Sequence, residues 1–263
     1  MHEEAASLPG EISISAVGLR KQFGMTLAVN NISLAVREGE FFGFLGPNGA
    51  GKSTTIKMLC GLLRPSAGTI QVAGHDLARE PLIVKGLIGV LPEEPNIYER
   101  LNAEEFLIFS ARMYGLPVDE ARRRTADLLD ILELNEPKNK LIVDYSMGMK
   151  KKTALAAALI HRPRVLFLDE PFNGIDPISV RAIRQVLHQL TARGTTIFFS
   201  SHVMEVVEHL CTRVAIINHG TIVAEGSLAE LRAAATEGSN SSLEDIFLKL
   251  VDARVGDDKL NWL

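Results

Sequence analysis

The most constraining feature of this chain is a run of eight residues, Gly46-Pro47-Asn48-Gly49-Ala50-Gly51-Lys52-Ser53. It lies between an unbroken apolar stretch, Phe41–Leu45, and a segment of helical character, Lys52–Leu63, which Pro65 and Gly68 bring to an end. A short continuous apolar run suits a strand buried on both faces of a sheet. Glycines let the following turn curl so that successive backbone N–H groups converge, and the helix start adds partial positive charge at the same point. The pattern G-x-x-x-x-G-K-[ST] between a strand and a helix is a phosphate-binding loop. Lys52 then reaches β- and γ-phosphates, and the Ser53 hydroxyl is a hard oxygen ligand suited to Mg²⁺.

A second apolar run, Val165–Leu168, ends in two carboxylates, Asp169 and Glu170. Such a strand is central in an open α/β sheet, and its C-terminal end opens at the ligand crevice. An Asp-Glu pair at a strand end is common and by itself signifies little. Together with a phosphate-binding loop upstream it supplies the remaining parts of phosphoryl transfer: Asp169 to support Mg²⁺, and Glu170 to orient the attacking water and take its proton.

Strand patterns at 11–17, 32–36, 41–45 and 69–72 precede a region of different texture at about 95–155. There Asn102 and Glu105 form a capping-box start, with Phe106, Leu107, Phe109 and Met113 near helical spacing. Gly115 and Pro117 break that helix. Asp119 is expected to cap a second, with Leu128, Leu129, Ile131 and Leu132 on its buried side. Strands return at 165–168, 196–199 and 214–217 with a helix between each pair, which makes βαβ units and a parallel sheet. Ser227/Glu230 and Ser241/Glu244 read as two further capping boxes, Phe247 and Leu248 as inward-packing residues, and 253–263, with Trp262, as a loose tail.

The chain has 263 residues and a net charge of −4, so no bulk positive field draws it to nucleic acid. Its two cysteines, Cys60 and Cys211, read as core thiols, which fits a reducing compartment. The start of the chain lacks the apolar segment of a signal peptide, and no apolar run reaches the ~18–20 residues needed to span a bilayer. Any work at a membrane is therefore expected to need another, spanning chain. Lys150, Lys151 and Lys152 read as a solvated helix face.

The order of these motifs resembles ATP-binding-cassette (ABC) ATPases over roughly residues 11–226. Ile88–Pro95 looks like the family's Q-loop, with Glu93 at the position of the usual glutamine; a carboxylate there is still an oxygen ligand for metal. Asp144–Lys150 takes the place of the family signature, agreeing with it at Ser146 and Gly148 and departing at Met147. Phe172–Asp176 resembles the D-loop, and His202 the switch histidine. Phe23 sits where an aromatic usually stacks on adenine, although an edge or core aromatic would read the same way. Ser146 reads equally as a helix cap, and a cap site is also an anion site.

The resemblance implies an α/β fold: a P-loop NTPase with a mixed, largely parallel sheet core, an N-terminal antiparallel β subdomain and an α-helical subdomain. It implies an ATPase domain at 11–226, with the helical part inserted at about 95–155, and a C-terminal extension at 227–263. Nucleotide and metal would be held by residues 46–53 with Thr54, and by Phe23, Glu93 and Asp169, with Ser53, Asp169 and Glu93 serving Mg²⁺. Lys52, Glu170 and His202 would carry hydrolysis. Ser146 and Gly148 would close over the ATP of a second ABC ATPase subunit, most simply another copy of the same chain. The motion would pass to an integral membrane permease from the cytoplasmic side of the cell membrane, and the Tyr-Ser-x-Gly-Met-Lys form of the signature resembles exporter-type cassettes. The competing readings are a soluble cassette acting on ribosomes or nucleic acid, and a non-catalytic nucleotide sensor subunit.

Overall fold

The computed structural model describes residues 11–136, 140–234, 244 and 246–248. The expected cap at Ser241 and the tail at 253–263 lie outside the described residues. Two sheets form the frame. The first is four-stranded and antiparallel, in the order β2-β1-β4-β5: β2 (Thr26–Arg37), β1 (Ile12–Phe23), β4 (Ala67–Val72) and β5 (His75–Asp76). The second has six strands in the order β10-β9-β3-β8-β7-β6: β10 (Thr221–Ser227), β9 (Arg213–Asn218), β3 (Phe41–Leu45), β8 (Thr196–Ser201), β7 (Val165–Asp169) and β6 (Ile88–Leu91). All its pairings are parallel except β9 with β10.

Strands β3, β7 and β8 are buried along their whole length and serve two cores by alternation. Phe42, Phe44, Phe167 and Phe198 face the antiparallel sheet and α1 (Lys52–Leu59), and Phe198 lies 5.4–5.9 Å, centroid to centroid, from the other three. Phe41, Leu166, Leu168 and Phe199 face α5 (Met147–Leu159), α6 (Pro177–Ala192) and α7 (Met204–Leu210). Each fully buried aromatic or aliphatic side chain contributes roughly 1.5–3 kcal/mol, and with both faces covered this sheet is the rigid floor of the molecule.

The helical region is as expected in outline. The Asn102–Glu105 capping box is complete in both directions and starts α3 (Ala103–Met113). Several details differ from the sequence reading. Asp119 does not cap α4 (Val118–Ile131); the cap position is Pro117, and Asp119 sits in the first turn, where its charge still favours the helix start. Leu129 and Leu132 are buried, but Ile131, Phe109 and Met113 are exposed, because these helices bury one narrow stripe. Helix α1 stops at Leu59 rather than Leu63, since Gly61 takes a left-handed φ of 73° and the N–H groups of Leu62 and Leu63 both turn back to Lys57 O. The first two strands run further than their alternation suggests, joined by a tight turn at Gly24 and Met25 and interrupted by bulges. Lys151 and Lys152 are not solvated: they are 2% and 6% exposed on the inner face of α5, and Lys150 is drawn aside to pair with Glu99.

The Ser227/Glu230 capping box forms and opens α8 (Leu228–Ala234). Phe247 packs on the core, whereas Leu248 is exposed; Ile246, which the sequence reading passed over, is the buried member of that turn. Both cysteines are free and buried; burial pushes the Cys60 thiol up to about 11 and raises Cys211 further.

Glycine 89 carries the contact between β6 and α5. A Cβ there would lie 2.3 Å from the Ala158 carbonyl oxygen, a backbone atom that cannot swing aside. Gly89→Ala is expected to destabilise the fold by about 1–3 kcal/mol in denaturant titration. Gly86→Ala, in α2 (Pro81–Leu87) with open space around it, should be neutral or stabilising by up to about 1 kcal/mol.

Candidate active site

The phosphate-binding loop emerges from β3 and feeds α1. Gly51 precedes the helix with φ 108°, a conformation side chains resist, and a Cβ on it would lie 2.6 Å from Ala28 O. The helix start has no side-chain cap, so its N–H groups are left to face a ligand. Thr55 Oγ1 donates to Gly51 O and Ala50 N to Pro47 O, which holds the turn in shape.

A cleft of about 440 Å³ opens over this loop. Asn48, Gly49, Lys52, Ser53 and Thr54 form one wall, and Glu93, Glu170, Asn173 and His202 the other. The second wall comes from the C-terminal ends of adjacent parallel strands: Glu93 follows β6, Glu170 follows β7 and His202 follows β8. Strand order thus brings together residues distant in sequence.

Glu170 is the centre of the charge arrangement. It is 5% exposed, and its Oε2 lies 2.9 Å from His202 Nδ1. An ionised carboxylate only accepts, so Nδ1 carries the proton of that contact. Its Oε1 is 3.3 Å from Lys52 Nζ, close enough for an ion pair, yet it accepts no well-directed hydrogen bond. Lys52 meanwhile donates to Gly46 O (2.8 Å) and Pro47 O (3.3 Å). The lysine therefore folds back over its own loop with charge to spare for an anion. Asp169 lies beneath, 3% exposed, with Oδ1 accepting from Ser200 Oγ at 2.6 Å.

Of the expected residues, Gly46, Ala50 and Asp169 belong to the frame of this cleft without lining it, and Phe23, Ser146 and Gly148 stand apart from it. Phe23 is 48% exposed at the tip of the β1–β2 hairpin, with Lys21 Nζ over its ring at 5.1 Å. Ser146 caps α5 by accepting from Met149 N, as its second reading held. Gly148 packs on the start of α6, where a Cβ would lie 3.1 Å from Asp176 Oδ2 and 3.2 Å from Ser179 Oγ. Asp176 caps α6, and the Ser179 N–H it accepts from holds its carboxyl below the ordinary aspartate range.

The sequence reading missed Lys151 and Ser200 as partners of this site. Lys151 Nζ donates to the carbonyls of Glu170 and Asn173, each at 2.8 Å, and Ser200 Oγ accepts from Glu170 N at 3.0 Å. No local signal marked the first, since Lys152 and Thr153 beside it on α5 are polar and buried as well.

A strand–loop–helix phosphate cradle opposed by an acid and a histidine at neighbouring strand ends defines a nucleotide-hydrolysing cassette. The ABC transporter family model matches residues 29–173. The linearmycin resistance ATP-binding protein LnrL of Bacillus subtilis (strain 168) is 42% identical over 218 residues, 83% of this chain and 70% of that protein. The daunorubicin/doxorubicin resistance ATP-binding protein DrrA of Streptomyces peucetius is 39% identical, over 87% of this chain and 68% of its own length. A solved ATP-binding subunit of an ABC transporter superposes with a TM-score of 0.84 at 31% identity, covering 90% of this chain and 98% of that one. The chain belongs to the ABC transporter family, as an ATP-binding, ATP-hydrolysing cassette.

Proposed function

We propose that this chain is the ATP-hydrolysing subunit of an exporter, acting as a pair of copies on a separate integral membrane permease at the inner face of the cell membrane. The observation that carries the reading is the placement of Glu170 between Lys52 and His202, at the rim of the phosphate-binding loop. A non-catalytic sensor has no need of a buried carboxylate poised there. The drug-resistance names of two relatives favour export.

The residues divide the work as follows. Backbone N–H groups of 48, 49 and 51–53 at the start of α1, with Lys52 and Thr54, hold the phosphates of ATP. Mg²⁺ fits the donors present: the Ser53 hydroxyl and the carboxylates of Asp169 and Glu93 are hard oxygens. Among the described residues no group of three or more His, Cys, Asp or Glu side chains is placed to hold a metal alone, so phosphate oxygens would complete its shell. The ion supplies charge neutralisation on the phosphates when bound. Glu170 accepts the proton of the attacking water, and His202 orients Glu170 and faces the γ-phosphate. Phe23, exposed on its hairpin, offers a ring face to adenine.

Ser146 and Gly148 lie outside the chain's own cleft. In a head-to-tail pair they would close on the nucleotide held by the other copy. The permease has a fitting surface in an open groove of about 700 Å³ along Ile97, Tyr98, Leu101 and Phe109, beside the segment that carries Glu93. Tyr98 and Phe109 are exposed there and meet edge to face at 5.5 Å. Among the described residues no helix is long and apolar enough to cross a membrane, so spanning falls to the permease. Residues 11–226 would form the ATPase domain, with 95–155 as its helical subdomain, and 227–263 an extension.

Glu170→Gln, nearly isosteric, should lower kcat by about 10²–10⁴-fold while ATP still binds. A variant hydrolysing ATP at the parental rate would remove Glu170 as the base. Purification of the chain from native membranes in mild detergent should bring with it a polypeptide with several spans of ~20 apolar residues each. Recovery with ribosomal proteins or nucleic acid instead would favour the soluble-cassette alternative.

A further inference from the structure

Glu170 adopts a conformation that its own sequence does not favour. Its φ is 46°, in the left-handed region, and holding a residue with a side chain there costs about 1–3 kcal/mol unless the surroundings impose it. The surroundings act on both ends of the residue. On one side Glu170 N–H donates to Ser200 Oγ, whose hydroxyl donates in turn to Asp169. On the other side the Glu170 carbonyl accepts from Lys151 Nζ, which also donates to Asn173 O. The turn between these carbonyls is closed by Asn173 N–H donating to Glu170 O at 3.2 Å.

Lys151 holds this position against its own preference. At 2% exposure, burial pushes its pKa down, while the charges of Glu93, Glu170 and Asp169 act in the opposite direction. Burying an ammonium costs several kcal/mol unless its hydrogens find partners, and the carbonyls of 170 and 173 are those partners. An apolar residue of similar volume would fill the space on α5 without that cost. The ammonium's distinctive contribution is the pair of hydrogen bonds across the turn.

We propose that Lys151 is a positioning residue for hydrolysis: by clamping the carbonyls of Glu170 and Asn173 it holds the Glu170 carboxylate between Lys52 and His202. The proposal rests on the reading of Glu170 as the base. It has a structural consequence. Lys151 stands on α5 five residues past Ser146, so the helix whose start would meet the other copy's nucleotide also aims the carboxylate of its own cleft. A displacement of α5 on pairing would reach Glu170 through this one side chain.

The test uses the full chain with Lys151→Met, Lys151→Arg and Glu170→Gln in parallel, measuring kcat, KM for ATP, binding of a fluorescent ATP analogue and the thermal midpoint. Lys151→Met should lower kcat by about 10²-fold, the scale on which small misplacements of reacting groups act. KM and analogue binding should stay near parental values, and Lys151→Arg, which keeps the donors, should recover much of the rate. If Lys151→Met does not fold, Lys151→Leu, which also lacks a donor, takes its place in the same comparison. A folded Met or Leu variant with parental kcat overturns the proposal. So does a loss of rate matched by the loss of ATP binding or of folded protein, which would make Lys151 merely structural. Glu170→Gln inactive beside a fully active Lys151→Met removes the role of Lys151 alone; Glu170→Gln at the parental rate removes the base and this proposal together.

Discussion

The ion pair between Lys52 and Glu170 is the interaction around which the rest is arranged. Two opposite charges, 6% and 7% exposed at their side chains, stand 3.3 Å apart at the mouth of a phosphate cradle. Leaving either buried charge without compensation would cost about 3–5 kcal/mol, so the fold has to deliver both to the same place. It does so with two neighbouring devices: the turn between β3 and α1, which carries Lys52, and the end of β7, which carries Glu170. Strands β3 and β7 flank β8, whose end supplies Ser200 and His202. The packed phenylalanines on these three strands fix the floor, and the charged groups at its edge inherit that rigidity.

The pair is not fully satisfied. Lys52 divides its donors between loop carbonyls and Glu170, and Glu170 Oε1 lacks a directed hydrogen bond. A site with an oxygen and an ammonium only loosely engaged can take on phosphate, metal and water at little cost in broken contacts. The cleft gathers the loop, Glu93, Glu170 and His202, while Ser146 and Gly148 lie elsewhere on the same molecule. Under the proposed head-to-tail pairing, the start of α5 would meet the nucleotide held by the other copy.

Much of this was legible in the sequence because the informative residues are contiguous. The loop at 46–53 and the strand ending in Asp169 and Glu170 carry their own context, and the capping boxes at Asn102 and Ser227 announce helix starts by local hydrogen bonding alone. What stayed hidden depends on tertiary contact. Lys151 looked like one of three solvated lysines because nothing local marks which face of α5 the core covers. Ser200 is an unremarkable serine until β8 is laid beside β7. The end of α1 was misplaced because Gly61, not Pro65, makes the turn, and the exposure of Ile131, Phe109 and Met113 follows from how narrow a stripe the helical layer buries.

The paired mechanism is tested most directly by the dependence of hydrolysis on the concentration of the chain itself. With ATP and Mg²⁺ in excess, the rate per chain should rise steeply with concentration and level off as pairs form, with sedimentation under the same conditions showing the pair appear over the same range. A constant rate per chain from a species that sediments as a monomer throughout would contradict the account.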